Sequence, residues 1–366
     1  MFHMQAPVPA HKPGAPLQVS VVGDALHIGN VAVAFHRTLR IPDDGRTYPL
    51  PPSLGRFPVR RVEDHADKVP AAWREHGGVF LPMFQREAMW LSFTGAHWRP
   101  NALKLAVGKV NALSGNAWSE RLQKTGRADD GQDYMVAPDQ PWLDGINAGD
   151  GFIKQFVAMA LGMGYTVEGQ VTGSEEHGGI QLAVYEPKPG RFPDTPPAPV
   201  TPSRSHLAAG AAGGAMAMAA PASAGAFAGQ EMGLGAGGRM RQSIYPDRHG
   251  LQAWDEDNFA RVYVHLVNSH MWTTITGEPM PNSPVSAQTY GQHGYPWYDL
   301  YDEDRGDIAA SGTLGKVRSV KEIDAGNGFG AQQDDSSVQV PGHLVLKAAP
   351  PASDPAATST VADGSW

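Results

Sequence analysis

One residue in five of this chain is a helix breaker: 43 glycines and 31 prolines in 366 positions. Proline inside a helix removes a hydrogen bond and clashes with the preceding turn, and glycine costs about 1 kcal/mol against alanine. Apolar residues at spacings of three, four and seven are correspondingly scarce. Only Pro70–His76 and Ser119–Lys124 have the makings of one or two helical turns. Between the breakers lie short apolar runs: Gln18–Val22, Ala25–Phe35, Val79–Met83, Ala88–Phe93, Leu103–Leu113, Ile153–Met159, Thr166–Thr172 and Ile180–Tyr185. In Tyr165–Thr172 apolar and polar residues swap at period two, as a half-buried strand requires, and Ile180–Tyr185 does the same. Gly173–Gly179 between them has the length of a hairpin loop. Further on, Arg239–Ile244 and Arg261–Val267 read as strands, and Trp254–Phe259 as the start of a short helical turn. The expected class is mainly β: a sandwich or barrel-like core of short antiparallel strands, with few short helices and long disordered segments.

Composition divides the chain. Residues 1–16 read as a disordered tail and 17–193 as the first part of a β-rich core. Residues 194–231 are an insertion or linker of Ala, Gly, Pro and Ser, with too little apolar surface to offset the entropy of ordering it. Residues 232–325 read as the second part of the core, preferably completing the same domain. Residues 326–366 read as a mostly disordered tail, with room for one strand in Val338–Leu346.

Charge and cysteine exclude several functions. Acidic residues outnumber basic ones 37 to 29, a net charge of −8, which argues against a nucleic-acid partner and a polybasic membrane surface. Without cysteine there is no disulfide, thiol nucleophile or thiolate metal site. The N-terminal residues lack the basic and apolar regions of a secretory signal. Leu207–Ala228 is 22 residues without a charge, yet nearly all Ala and Gly with Pro221 inside. Such residues gain little in lipid, so no membrane span is expected and the chain is read as soluble and cytoplasmic.

Sequence signatures of chemistry are sparse. Gly233–Gly238 has the glycines of a dinucleotide fingerprint but neither a strand before nor a helix after it, so a tight loop at the linker boundary is expected. Neither Gly108-Lys109 nor Gly315-Lys316 continues into Ser or Thr, so no phosphate-binding loop is present. Neither a Gly-x-Ser-x-Gly elbow nor His-Glu-x-x-His occurs. His265 and His270, five apart, face opposite sides of a strand, or diverge by about 140° on a helix, and do not share a metal. The acids in Asp129–Asp133 and Asp299–Asp307 lack spaced calcium ligands. No metal or cofactor is expected.

The remaining candidates pair aromatic residues with acids. Trp142 stands between Asp139 and Asp144, and Trp297 and Tyr298 lie among Tyr290, Tyr295 and Tyr301. In a sugar-binding protein aromatic faces pack on the ring while carboxylates take hydroxyls. Paired carboxylates about 5 to 10 Å apart would also supply the acid and base of a glycosidase. Glu87, beside Arg86 at the start of an apolar run, is a third candidate acid: neighbours on a strand face opposite sides, so one of the two points inward and needs a partner. Arg239 and Arg241 share one face of their strand and would meet an acid such as Glu87 or Asp144.

Gly78–Phe93, Asp139–Gly145, Gly164–Gly173 and Met232–Gln242 resemble segments of a family of uncharacterised bacterial proteins loosely labelled "integral membrane protein". The resemblance covers most of residues 20–320 and implies no activity, cofactor or site residue. Two functions are therefore expected. The first is a soluble β-rich binding or assembly protein with a protein or carbohydrate partner, or copies of itself. The alternative is a carboxylate-dependent hydrolase of a sugar polymer or similar polar substrate, with Glu87, Asp139 and Asp144 as its acids and Trp142, Arg239, Arg241, Trp297 and Tyr298 as binding residues.

Overall fold

The computed structural model describes residues 14–123, 131–197, 231–293, 297–300, 305–330, 332, 337, 338, 340, 343–346 and 358–366. Residues 198–230 of the expected insertion, residues 1–13, Asp129, Asp130, Tyr295 and Tyr301 lie outside them. In chain order the strands are β1 (Val19–Val22), β2 (Ala25–Ile28), β3 (Val31–Thr38), β4 (Arg60–Arg61), β5 (Val79–Met83), β6 (Ala88–Thr94), β7 (Asn101–Val107), β8 (Val110–Asn111) and β9 (Met135–Ala137). There follow β10 (Trp142–Leu143), β11 (Gly145–Gly149), β12 (Phe152–Ala160), β13 (Ile180–Pro187), β14 (Glu231–Arg241), β15 (Trp254–Asn268), β16 (Trp297–Leu300), β17 (His343–Leu346) and β18 (Thr358–Thr360). Among the described residues five short helices accompany them: α1 (Ala71–His76), α2 (Val167–Thr172), α3 (Trp272–Thr276), α4 (Ala287–Gln292) and α5 (Val320–Gly326).

Sixteen strands form one curled, half-barrel sheet whose main path runs β18-β1-β2-β3-β6-β12-β14-β15-β13-β7-β8. The expected mainly β class is what the chain adopts. All the pairings in this sheet are antiparallel except that of β5 with β15. Strands β14 and β15, which follow residues 198–230, sit between β12 and β13, which precede them. β6 shows why the sheet curls round an apolar interior: Met89, Leu91 and Phe93 are buried, while Trp90, Ser92 and Thr94 on the other face are half-buried. β13 is buried throughout because β7 and β15 flank it. Among the described residues no helix is long and apolar enough to cross a membrane.

Three local expectations are corrected. Thr166–Thr172 is not a strand: Thr166 caps α2 by accepting from the Gly169 amide, and Gly173 closes it in the left-handed conformation. The hairpin with Ile180–Tyr185 therefore does not form. Trp254–Phe259 is extended, the first part of the fifteen-residue β15, and the short helical turn falls just before it at Leu251–Ala253. The Gly233–Gly238 run is not a loop but the middle of β14. Its glycines let other segments lie directly on the strand: a Cβ on Gly235 would meet Tyr165 O at 2.7 Å, and one on Gly238 would meet Pro42 O at 2.6 Å. Of the two expected helical turns, Pro70–His76 contains α1, while residues 119–123 form none.

Inside the stretch expected to be a mostly disordered tail, residues 358–366 lie on the body as a strap. β18 pairs with β1, placing Thr360 opposite Ser20. Beyond it the Gly364 amide donates to His76 O at 2.9 Å, and the Ser365 amide to Glu75 O at 2.8 Å. The strap thus ties the sheet edge to α1.

Candidate functional site

The candidate acids occupy three different surroundings. Glu87, in the turn entering β6, is 3% exposed and accepts from the Phe84 amide at 2.8 Å and from Arg37 Nε at 2.7 Å. Burial pushes its carboxyl up to about 7 against the pull of Arg37. Asp144 is equally buried, its Oδ2 has no partner, and burial pushes it up to about 7, opposed only by Gln242. Asp139 is half-buried and takes Arg248 at 2.9 Å, with His97 and His249 at 3.8 and 3.7 Å.

The candidate binding residues are dispersed. Trp142 lies opposite Ser92 on β6, half-buried, with its indole N–H enclosed and unpartnered. Trp297 is fully buried beside Tyr48 and Tyr290, so it offers a ligand no surface. Tyr298 exchanges backbone hydrogen bonds with Leu50 and packs on the core. Arg239 and Arg241 do share a face, but it is the exposed one. Register places them opposite Lys154 and Phe152, and Arg239 stacks over the Phe152 ring at 3.9 Å. Neither meets Glu87, which pairs with Arg37, or Asp144, whose neighbour is Gln242. That expected network is corrected. His265 is buried between Trp73 and Tyr263, its Nε2 3.0 Å from Gly77 O. Among the described residues no group of three or more His, Asp or Glu side chains is arranged to hold a metal.

The structure draws attention elsewhere, to a cleft of about 650 Å³ between the β7–β8 turn, β15, α2 and the strap. The turn is Gly108-Lys109, both in the left-handed region at φ 54° and 59°. Val107 pairs with Val110, so these are the two central residues of a tight hairpin that wants both φ positive. Lys109 is not a glycine and holds this conformation under restraint: its amide donates to Gln181 Oε1 at 2.6 Å, and its carbonyl accepts from the Trp118 amide at 2.7 Å. Gly108 is needed for space as well, since a Cβ there would fall 2.4 Å from Glu168 Oε2.

The floor is aromatic and cationic. Trp118 and Trp366 stack with centroids 5.4 Å apart, and the Arg261 guanidinium lies 4.8 Å from the Trp366 ring centre. Arg261 forms ion pairs with Glu120 and, at 3.0 Å, with Asp363 of the strap. Asp363 also accepts the Trp366 indole N–H at 2.7 Å. Glu168 on α2 gathers the loop above: its carboxylate accepts the amides of Glu176, His177 and Gly178 at 2.8 to 2.9 Å. Ser119, Thr172 and Ser174 add hydroxyls to the walls. Among the described residues the Lys109 ammonium has no hydrogen-bond or ion-pair partner. Burial, and then Arg261, lower its pKa; burial, and then Lys109, lower that of His177.

A second hollow of about 410 Å³ shares Glu120 and Arg261 with the first and is lined by Leu17, Val19, Phe259 and Val361. Glu120 and Arg261 therefore border both hollows. Glu87, Asp144 and Trp142 line neither hollow. The sequence offered two unused signals for this site. Gly108-Lys109 lies between apolar runs at hairpin spacing, and the terminal Asp-Gly-Ser-Trp ends a low-complexity stretch in a large aromatic. Compared with protein families, with curated proteins and with solved structures, the chain finds no match.

Proposed function

We propose that the chain is a soluble binding protein whose cleft beside Arg261 receives a small polar ligand of the carbohydrate class. The observation that carries this is the composition of the cleft walls: two stacked indoles below, three hydroxyl side chains around, and a lysine with no partner among the described residues. Aromatic surface for C–H faces together with dispersed polar groups suits a ring rich in hydroxyls. The volume of about 650 Å³ is in the range of small-ligand sites. The test is a tryptophan-fluorescence titration with mono- and disaccharides, repeated on Trp118→Ala. Saturable change in the parent that is lost in the variant is expected. No saturable binding of any saccharide at millimolar concentration would remove the reading.

The hydrolase alternative has less beneath it. Glu87 and Asp144 have the raised carboxyl pKa of a general acid, but each is almost wholly enclosed, and Glu87 is held by Arg37.

A further inference from the structure

We propose that the saccharide taken by the cleft carries an anionic group, a carboxylate or a phosphate, and that this group is received by the Lys109 ammonium. The inference rests on the carbohydrate reading above and adds the charge and orientation of the ligand.

Arg261 on the cleft wall is ion-paired with Glu120 and with Asp363. The carboxylate of Glu168 is met by three backbone amides. Lys109 has no opposite charge at contact distance among the described residues. A lysine on an open turn leaves its ammonium in water at no cost, but this one is partly enclosed. It lines the cleft beside Arg261, Glu120 and Glu168, whose charges are already met by one another, by Asp363 or by backbone amides. An anion seated there would give the ammonium the ion-pair partner it lacks among the described residues.

The position of Lys109 is also prepared. The left-handed conformation costs a non-glycine residue about 1 kcal/mol, and two hydrogen bonds, to Gln181 and Trp118, hold it there. The same Trp118 forms the floor. The Lys109 backbone and the aromatic floor therefore belong to one short piece of chain, which roots the lysine side chain beside Trp118. Ser119 and Ser174 stand around the remaining wall, while the Thr172 hydroxyl is hydrogen-bonded to the Glu168 and Ser174 carbonyls.

The test uses three sugars that differ only at one carbon: glucose, glucuronate and glucose 6-phosphate. Each is titrated calorimetrically into the full chain and into Lys109→Asn. Asparagine tolerates the left-handed turn, so the variant removes the ammonium while keeping the backbone. The expected result is that one or both anions bind at least about tenfold more tightly than glucose, the range of one charge-assisted hydrogen bond. That preference should vanish in the variant and shrink as salt is raised. Which of the two anions is preferred tells carboxylate from phosphate. Equal binding of all three, or a preference that survives in the variant, overturns the proposal while leaving the carbohydrate reading intact. Failure of all three to bind overturns the proposal, and the wider series of mono- and disaccharides decides the carbohydrate reading. Should Lys109→Asn not fold, the parent decides alone: an anion preference insensitive to salt overturns the proposal.

Discussion

The Arg37 guanidinium meets the Glu87 carboxylate at 2.7 Å through Nε and 2.5 Å through Nη2, with the Glu87 side chain 1% exposed. The two come from β3 and the turn before β6, so the pair joins neighbouring strands at their ends. Arg37 also donates to Asn282 O at 2.6 Å.

Breaking such a pair from one side leaves a charge enclosed without its complement. Arg37→Met is expected to destabilise the protein by about 3 to 5 kcal/mol at alkaline pH, where Glu87 is a buried charge, and by less near pH 5, where the carboxyl is protonated. Replacing both, with Glu87→Gln added, should recover part of that loss. Urea unfolding of the single and double variants measures it.

Asp144 governs the pH dependence with a definite sign. Its carboxyl titrates at about 7 in the folded chain, against an ordinary value of 3.8. Between those values the folded chain binds the extra proton, so stability falls as pH rises from about 4 to about 7. The loss corresponds to about 4 kcal/mol. Asp144→Asn should be the more stable form at pH 8 and should flatten the decline, though not abolish it, since Glu87 titrates with the same sign. Unfolding at pH 5 and pH 8 compares the two.

The strap is sensitive at Gly364. A Cβ there would fall 2.1 Å from Glu75 O, so Gly364→Ala cannot keep both hydrogen bonds to α1. Amide exchange over residues 358–366 is expected to accelerate at least about tenfold, while β13 and β15 stay protected. The saccharide binding proposed for the cleft should weaken with it, because Trp366 forms part of the cleft.

Glu168 holds the loop over the cleft through three amides. Glu168→Gln offers them one neutral oxygen where two charged ones stood. It should cost about 2 to 4 kcal/mol, the range for charge-assisted hydrogen bonds lost from a buried acceptor. Thermal or urea unfolding checks the stability, and exchange at Glu176, His177 and Gly178 checks the cause.

What could be read along the chain was whatever depends on near neighbours. The alternation of Met89, Leu91 and Phe93 with Trp90, Ser92 and Thr94 announces a half-buried strand. Glu87 beside Arg86 does not follow the alternation of a strand: the two lie in the turn before β6, where Glu87 is buried against Arg37 and Arg86 pairs with Asp324. Thr166–Thr172 shows where such reading fails. So short a stretch fits a strand and a helix equally well, and the choice fell to Thr166 capping Gly169 and to Glu168 finding three amides on the following loop. Neither partner is marked by periodicity. The glycines of β14 mislead for a related reason: they suggest freedom, whereas here they make room for Tyr165 and Pro42 to rest on the strand.

From its sequence alone this protein was bound to be mainly β, because one residue in five is a breaker of helices, and bound to lack thiol chemistry, because it has no cysteine; that two of its strands, β14 and β15, run to eleven and fifteen residues was not legible there. Which acids are partnered, which tryptophans are enclosed, and where a cleft opens were decided only by tertiary structure. Trp118, Arg261 and Trp366 are separated by more than a hundred residues of chain at each step. They meet because β13 joins the β7–β8 hairpin to β15 and because the strap crosses back over β1 and α1. Contacts of that range depend on sheet order, and local pattern carries no information about sheet order.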